Sequence, residues 1–320
     1  MLLEVERVTK TYRGGVRAND DLTLHADAGE VHGLLGHNGA GKTTLANQIV
    51  GLAKPDSGRI RIAGRDAVAD PAWARRICSI EPQAQVPLTG LTPRVAIDLI
   101  GRLRGGRTAD VRARSARLVD ALDVGEWLDT RGEKLSGGVR RLVSFCMTAV
   151  TPGRVVVLDE PTNDVDPVRR RLLWAQVRAL ADEGIAVLLI THNVVEAERS
   201  VDRLSLLDHG RVVAEGTPAE LKARLPDDLR LALVLDPAVD APPLPPFARR
   251  SALEGNRLVA TVPAPSAAAA AAWAQALRLE GSVEEFSLEP ATLEDLYVEV
   301  LGTGHAPDFS SAEECDVHAA

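Results

Sequence analysis

The stretch Gly36–Thr44, GHNGAGKTT, decides how the rest of the chain is read. Gly36, Gly41, Lys42 and Thr43 fit the pattern G-x-x-x-x-G-K-[ST], between the apolar run VHGLL and the helical pattern KTTLANQIVGL. A strand that turns through glycines into a helix lets successive backbone N–H groups curl around phosphate. The helix N-terminus adds its partial positive charge. On this reading His37, Asn38, Gly39, Ala40 and Thr44 complete the loop, Lys42 reaches the β- and γ-oxygens of a bound nucleotide, and Thr43 offers its hydroxyl to Mg²⁺.

A metal held against phosphates wants a carboxylate nearby, directly or through water. RVVVLDEP supplies it: Val155–Leu158 form an apolar strand, and Asp159 stands at its C-terminal edge, where open α/β sheets present ligand-binding groups. Glu160 follows, so two adjacent carboxylates can divide the labour, Asp159 for Mg²⁺ and Glu160 to orient or deprotonate the attacking water. His192, in IAVLLITHN, leaves a second apolar strand and can donate to the γ-phosphate. Taken singly, an acidic turn or a strand-end histidine is ordinary; three strand exits converging on one loop are not.

Composition bounds the rest. The 320 residues are 45% hydrophobic, enough for one large domain and a smaller one. The longest apolar runs, LVSFCMTAV and IAVLLI, fall well short of the roughly 18 residues a bilayer span needs. The start, MLLEVERVTK, lacks the pattern of a signal peptide, and Cys78, Cys146 and Cys315 form neither a metal motif nor an even disulfide framework. A cytoplasmic protein is expected. From Leu231 onward four basic residues face fourteen acidic ones, a balance of −10 within a whole-chain charge of −8, so the C-terminal part reads as a separate acidic unit. The Arg-rich segment Arg102–Arg117 has no interleaved aromatics in an acidic chain, so no nucleic-acid partner is expected.

The organisation is α/β. LLEVERV, DLTLHA, VHGLL and GRIRIAG read as strands, about 85–150 as a helical insert, and VVVLDE and IAVLLI as a parallel pair joined by a helix. RLSLLDHGRVVAEG reads as a hairpin turning at Asp208, His209 and Gly210. A nucleotide-binding domain over 1–225 is expected, then an α+β appendage over 226–302 with RLVATV and SVEEFSL as strands and PSAAAAAAWAQALRL and TLEDLYVEVL as helices. The tail 303–320, without periodicity or caps, is expected to be disordered.

One further motif is EKLSGGVRRLVSF, Glu133–Phe145. Alone, it is a helix capped at Ser136, with Gly137 and Gly138 marking a close backbone approach. Phosphate loop, LSGG before a helix, strand ending Asp-Glu-Pro, Asp166 and His192, in that order, resemble the ATP-binding cassette (ABC) family over about Leu3–Leu225. The resemblance implies a P-loop ATPase with a mixed sheet and a helical insert. It also implies that Tyr12 stacks on adenine, that Gln83 touches Mg²⁺ and the attacking water, and that Asp166 bridges the two sites of a dimer. Leu135, Ser136, Gly137 and Gly138 complete the ATP site of another copy. One phosphate loop and one LSGG per chain then imply a homodimer or a related partner.

Three departures stand out: Glu81 where an apolar residue is usual, Asp164 where Gly or Ser is common, and Val139 where Gln is most frequent. The last predicts a weakened closed state. Leu288–Gly302 resembles the tail of daunorubicin-type drug-exporter subunits, which implies a separate membrane permease, export, and residence on the inner face of the membrane. The competing readings are a soluble cassette ATPase and a nucleotide-dependent regulator.

Overall fold

Short, largely apolar runs become the centre of the fold: in the computed structural model Val31–Leu35, Val155–Asp159 and Ala186–Thr191 are strands with every residue buried. The structure describes residues 1–225, 227–237, 239, 241–290 and 292–301, so the expected disordered tail lies outside the described residues. The chain divides into two units, Met1–Leu221 and the part from Lys222 onward, against an expected boundary after Leu225.

The first unit runs β1 (Leu3–Thr11), β2 (Arg17–Ala26), β3 (Val31–Leu35), α1 (Lys42–Ile49), β4 (Ser57–Ile62), β5 (Arg65–Asp66), α2 (Pro71–Ile77) and β6 (Cys78–Glu81). Helices α3 (Pro93–Leu103), α4 (Thr108–Ala121) and α5 (Gly137–Ala149) form the insert. There follow β7 (Val155–Asp159), α6 (Pro167–Asp182), β8 (Ala186–Thr191), α7 (Val194–Ser200), β9 (Arg203–Asp208), β10 (Arg211–Gly216) and α8 (Pro218–Lys222). The larger sheet has the order β10-β9-β3-β8-β7-β6, parallel except for β10, and an antiparallel sheet has the order β2-β1-β4-β5.

Because side chains alternate across a strand, the central strands feed two cores. Val156, Leu158, Val187 and Leu189 pack with the helical side, among Leu142, Phe145 and Leu173. Val155, Val157, Leu188 and Ile190 pack on the opposite face with Leu45, Ile49 and the inward residues of β1, β2 and β4. Each such side chain contributes about 1.5–3 kcal/mol of burial. The parallel arrangement brings the C-terminal ends of β6, β7, β8 and β3 side by side, and the candidate residues lie just beyond those ends.

The second unit is an antiparallel sheet in the order β12-β13-β11-β14: β11 (Asp228–Leu235), β12 (Arg250–Glu254), β13 (Arg257–Pro263) and β14 (Val283–Pro290), with helices α9 (Ala267–Leu279) and α10 (Leu293–Leu301). Ala270 and Ala274, one turn apart, let α9 lie close on Leu231, Leu233, Leu258 and Val262. The alanine run is thus a packing face. Strands β6, β11 and β12 and helix α2 have no counterpart in the sequence reading, and no helix among the described residues is long and apolar enough to cross a membrane.

Candidate nucleotide-binding site

The glycine loop leaves β3 and enters α1 through Gly41, whose left-handed φ of 104° and proximity to the Ala18 carbonyl exclude any side chain. Asn19, fully buried, donates to the Gly41 carbonyl at 3.2 Å and pins the turn to β2. Lys42 lies 8% exposed, its Nζ donating to the carbonyls of Gly36 at 2.5 Å and His37 at 3.0 Å. Burial lowers its pKa from the usual lysine value, while Glu160 and Asp159 pull the other way. The ammonium is therefore held inside the loop, facing the two carboxylates.

Thr43 donates from Oγ1 to Asp159 Oδ2 at 3.0 Å, joining the start of α1 to the end of β7. Burial raises the Asp159 pKa, the bond from Thr43 lowers it, and the charge of Glu160 raises it again. A buried carboxylate with a raised pKa beside a hydroxyl oxygen is a hard-oxygen pair that a divalent cation would stabilise, so the donor set fits Mg²⁺.

Glu160 is 3% exposed and adopts a left-handed φ of 53°, a costly conformation for a residue with a side chain. Three donors fix its carboxylate: the Thr191 hydroxyl at 3.1 Å, the His192 backbone N–H at 2.9 Å, and His192 Nδ1–H at 2.6 Å. An ionised Glu160 selects the Nδ1–H tautomer, so Nε2 can donate to a phosphate only when the ring carries both protons. This refines the sequence expectation for His192. Thr191 was missed in the sequence, where a strand-end threonine carries no distinctive signal.

The remaining residues are dispersed around this centre. Tyr12 follows β1, is 45% exposed, and has Lys10 Nζ 5.7 Å from its ring centroid, leaving aromatic surface for stacking. Gln83 is exposed just beyond β6, and its backbone carbonyl accepts from Arg141 Nη2 at 2.6 Å. Arg141 also donates to the Pro82 carbonyl at 2.8 Å, and its Nη1 stands 3.9 Å from the fully buried Glu81. Arg141 thus ties α5 to the segment carrying Gln83. Sequence reasoning missed it because Arg-Arg on a helix reads as a solvated face, yet Arg141 is 3% exposed.

Ser136 caps α5, its Oγ accepting from Val139 N–H at 3.3 Å. A Cβ on Gly138 would collide with the Asp164 carbonyl, so the close approach signalled by the glycines is to this chain's own Thr162–Pro167 loop. Asp164 adopts a left-handed φ of 64°, which is why a residue without Cβ is favoured there, and its Oδ2 accepts from Gln85 at 3.2 Å. Asp166 caps α6, accepting from Val168 and Arg169 N–H at 3.0 Å each. Val139 is 6% exposed and packs inward among the helical core, so its departure bears first on packing within the chain. Gly138→Ala is expected to cost about 1–3 kcal/mol by overpacking, measured as a shift in urea midpoint; an unchanged midpoint would show that the loop simply yields.

The family described as ABC transporter matches residues 19–163. The daunorubicin/doxorubicin resistance ATP-binding protein of Streptomyces peucetius is 36% identical over 98% of this chain and 95% of its own length. The Nod factor export ATP-binding protein I of Burkholderia thailandensis is 33% identical over 94% and 97%. Among solved structures, the ATP-binding subunit of an ABC transporter superposes with a TM-score of 0.66 at 28% identity, covering 70% of this chain and 93% of that one.

Proposed function

Because the chain belongs to the ATP-binding cassette transporter family, as an ATP-binding and ATP-hydrolysing subunit, we propose that it powers export through a separate membrane permease, working as a homodimer on the cytoplasmic face. The observation that carries this reading is the convergence of Lys42, Thr43, Asp159, Glu160 and His192 at adjacent strand ends, in a chain without a spanning helix among the described residues. The relatives named for drug resistance and for Nod factor export support the export direction.

In the proposed cycle ATP lies along the Gly36–Thr44 loop, with its base on Tyr12 and its phosphates against the backbone amides and Lys42. Thr43, Asp159 and Gln83 would hold Mg²⁺, which when bound neutralises charge on the phosphate oxygens. Glu160, oriented by Thr191 and His192, takes a proton from the attacking water. Leu135–Gly138 of one copy closes over the nucleotide of the other, with Asp166 bridging the two sites. With Val139 turned inward, the trans contact falls to Ser136 and the glycines.

The permease docks in a cavity of about 340 Å³ whose lining includes Leu52, Ile80, Ile100, Arg104 and Met147, between the end of α1, β6 and the helical insert. Leu52 is 61% exposed at its rim. Leu52→Arg is expected to abolish co-purification with the coexpressed permease while leaving ATP binding intact. Unchanged co-purification would rule out this docking face, and a wild-type chain that never joins membranes with its permease present would rule out transport. A soluble ATPase or a regulator would behave that way.

A further inference from the structure

The phosphate loop carries a second cluster that the nucleotide chemistry leaves unused. His37 on the loop, Asp208 at the end of β9 and His209 in the following turn bring one ligating atom each to within 4.8 Å of one another. His37 Nε2 lies 3.1 Å from Asp208 Oδ1, and His209 Nε2 lies 3.7 Å from the same oxygen. The rings of His37 and His209 meet edge to face at 5.4 Å.

The proton inventory of His37 makes this more than proximity. Its Nδ1 stands 2.7 Å from the Asn38 carbonyl and its Nε2 3.1 Å from a carboxylate oxygen, so both ring nitrogens face acceptors. A neutral imidazole has a single N–H. With Nδ1–H donating to the carbonyl, the Nε2 lone pair points at the carboxylate, an arrangement that needs either a second ring proton or a cation between the two groups. A ligating histidine whose other nitrogen donates to a backbone carbonyl is the usual outer-shell pattern of metal sites.

The cluster is also backed by docked backbone. Gly210 N–H donates to the Ala40 carbonyl of the phosphate loop at 3.0 Å, and the Gly210 carbonyl accepts from Asp20 N–H at 2.9 Å. His209 and Gly210 form a two-residue hairpin turn with φ of 43° and 80°. All three donors thus sit on two segments already fastened together. Tetrahedral metal ions take imidazole nitrogen and carboxylate oxygen at about 2.0–2.2 Å, which places donors roughly 3.3–3.6 Å apart, close to the two spacings to Asp208 Oδ1. The side chains of His37, Asp208 and His209 are 41%, 28% and 85% exposed, so a fourth position opens to water.

We propose that His37, Asp208 and His209 form a site for a Zn²⁺-class divalent ion, fastening the phosphate loop to the β9–β10 hairpin. Imidazole donors favour Zn²⁺, Co²⁺, Ni²⁺ and Cu²⁺ and disfavour Mg²⁺, so this site is separate from the Thr43–Asp159 pair. Since His37 belongs to the phosphate loop, ion and nucleotide affinities are linked reciprocally.

The test uses the full chain without nucleotide, titrated with Co²⁺ in the visible range and with Zn²⁺ by competition against a chromophoric chelator. His209→Asn is the informative variant, because Asn-Gly is the favoured two-residue turn and keeps the hairpin while removing one ligand. The wild type is expected to bind one Zn²⁺ that His209→Asn binds at least tenfold more weakly, with a tetrahedral Co²⁺ spectrum and no competition from millimolar Mg²⁺. Zn²⁺ should raise the melting temperature of the wild type and not of the variant. Binding at Cys315, His305 or His318 would be equal in both proteins. Identical titrations, or only a weak octahedral Co²⁺ spectrum, would overturn the site.

Discussion

Replacing Glu160 with Gln is expected to lower ATP turnover by about 10²–10⁴, the range that a positioned general base contributes, while nucleotide binding stays within a few-fold of the wild type. With its oxygen at the Oε1 position the amide still accepts from His192, its NH₂ at the Oε2 position donates to the Thr191 hydroxyl, and it takes no proton from water. ATP-bound dimer should therefore accumulate. Steady-state phosphate release beside nucleotide binding measures both effects, and equal turnover in the two proteins would remove Glu160 from the reaction. The left-handed backbone of Glu160 is tied to β8 by its N–H to the Ile190 carbonyl at 2.9 Å, a bond that the substitution leaves in place.

Arg141→Leu is expected to be the most damaging change away from the phosphates. It removes the guanidinium beside buried Glu81 and strips the carbonyls of Pro82 and Gln83 of their donors, each bond lost costing about 1–3 kcal/mol. Chemical denaturation reads the stability, and turnover should fall with it as the Gln83 segment loosens. If Arg141→Leu unfolds at the wild-type midpoint, the link between α5 and this segment is not structural. Glu81→Gln separates the partner's role. Burial raises the Glu81 pKa from 4.5 to about 8, against the lowering pull of Arg141. Between those values the folded chain binds more protons at this site than the unfolded one. Its contribution is thus fully present below about pH 4.5 and is lost as pH rises through 8, at up to about 1.4 kcal/mol per pH unit. Glu81→Gln should flatten that slope across pH 5.5–7.5, and a slope equal to the wild type's would place the titration elsewhere.

The legibility of the chain follows from how much physics each segment keeps local. β7 and β8 were readable because parallel strands buried on both faces are uninterrupted apolar runs that end where polarity returns. The phosphate loop was readable because its glycines, lysine and threonine each answer to a backbone or charge requirement within nine residues. β6 was hidden because two of the four residues in Cys78–Glu81 are polar and its identity as a strand comes from pairing with β7. β11 was hidden for a similar reason, since β13 and β14 on either side supply its context. Arg141 was not singled out in the sequence, and Val139 was read only as a departure from the usual Gln. Neighbours in sequence do not show that both are buried, because burial is decided by the packing of α5 within the helical core.

The contact between Gly138 and the Asp164 carbonyl has a mechanical side. Asp164 lies four residues beyond Glu160, and the turn between them is braced by Asn163 N–H to the Glu160 carbonyl and Val165 N–H to the Thr162 carbonyl. Backbone meets backbone at that point with no side chain to act as a cushion. A shift of the segment after Glu160 would therefore press on the start of α5 through backbone alone. In the proposed cycle the loop would act as a pushrod, letting the surface lent to a second copy register a change at Glu160.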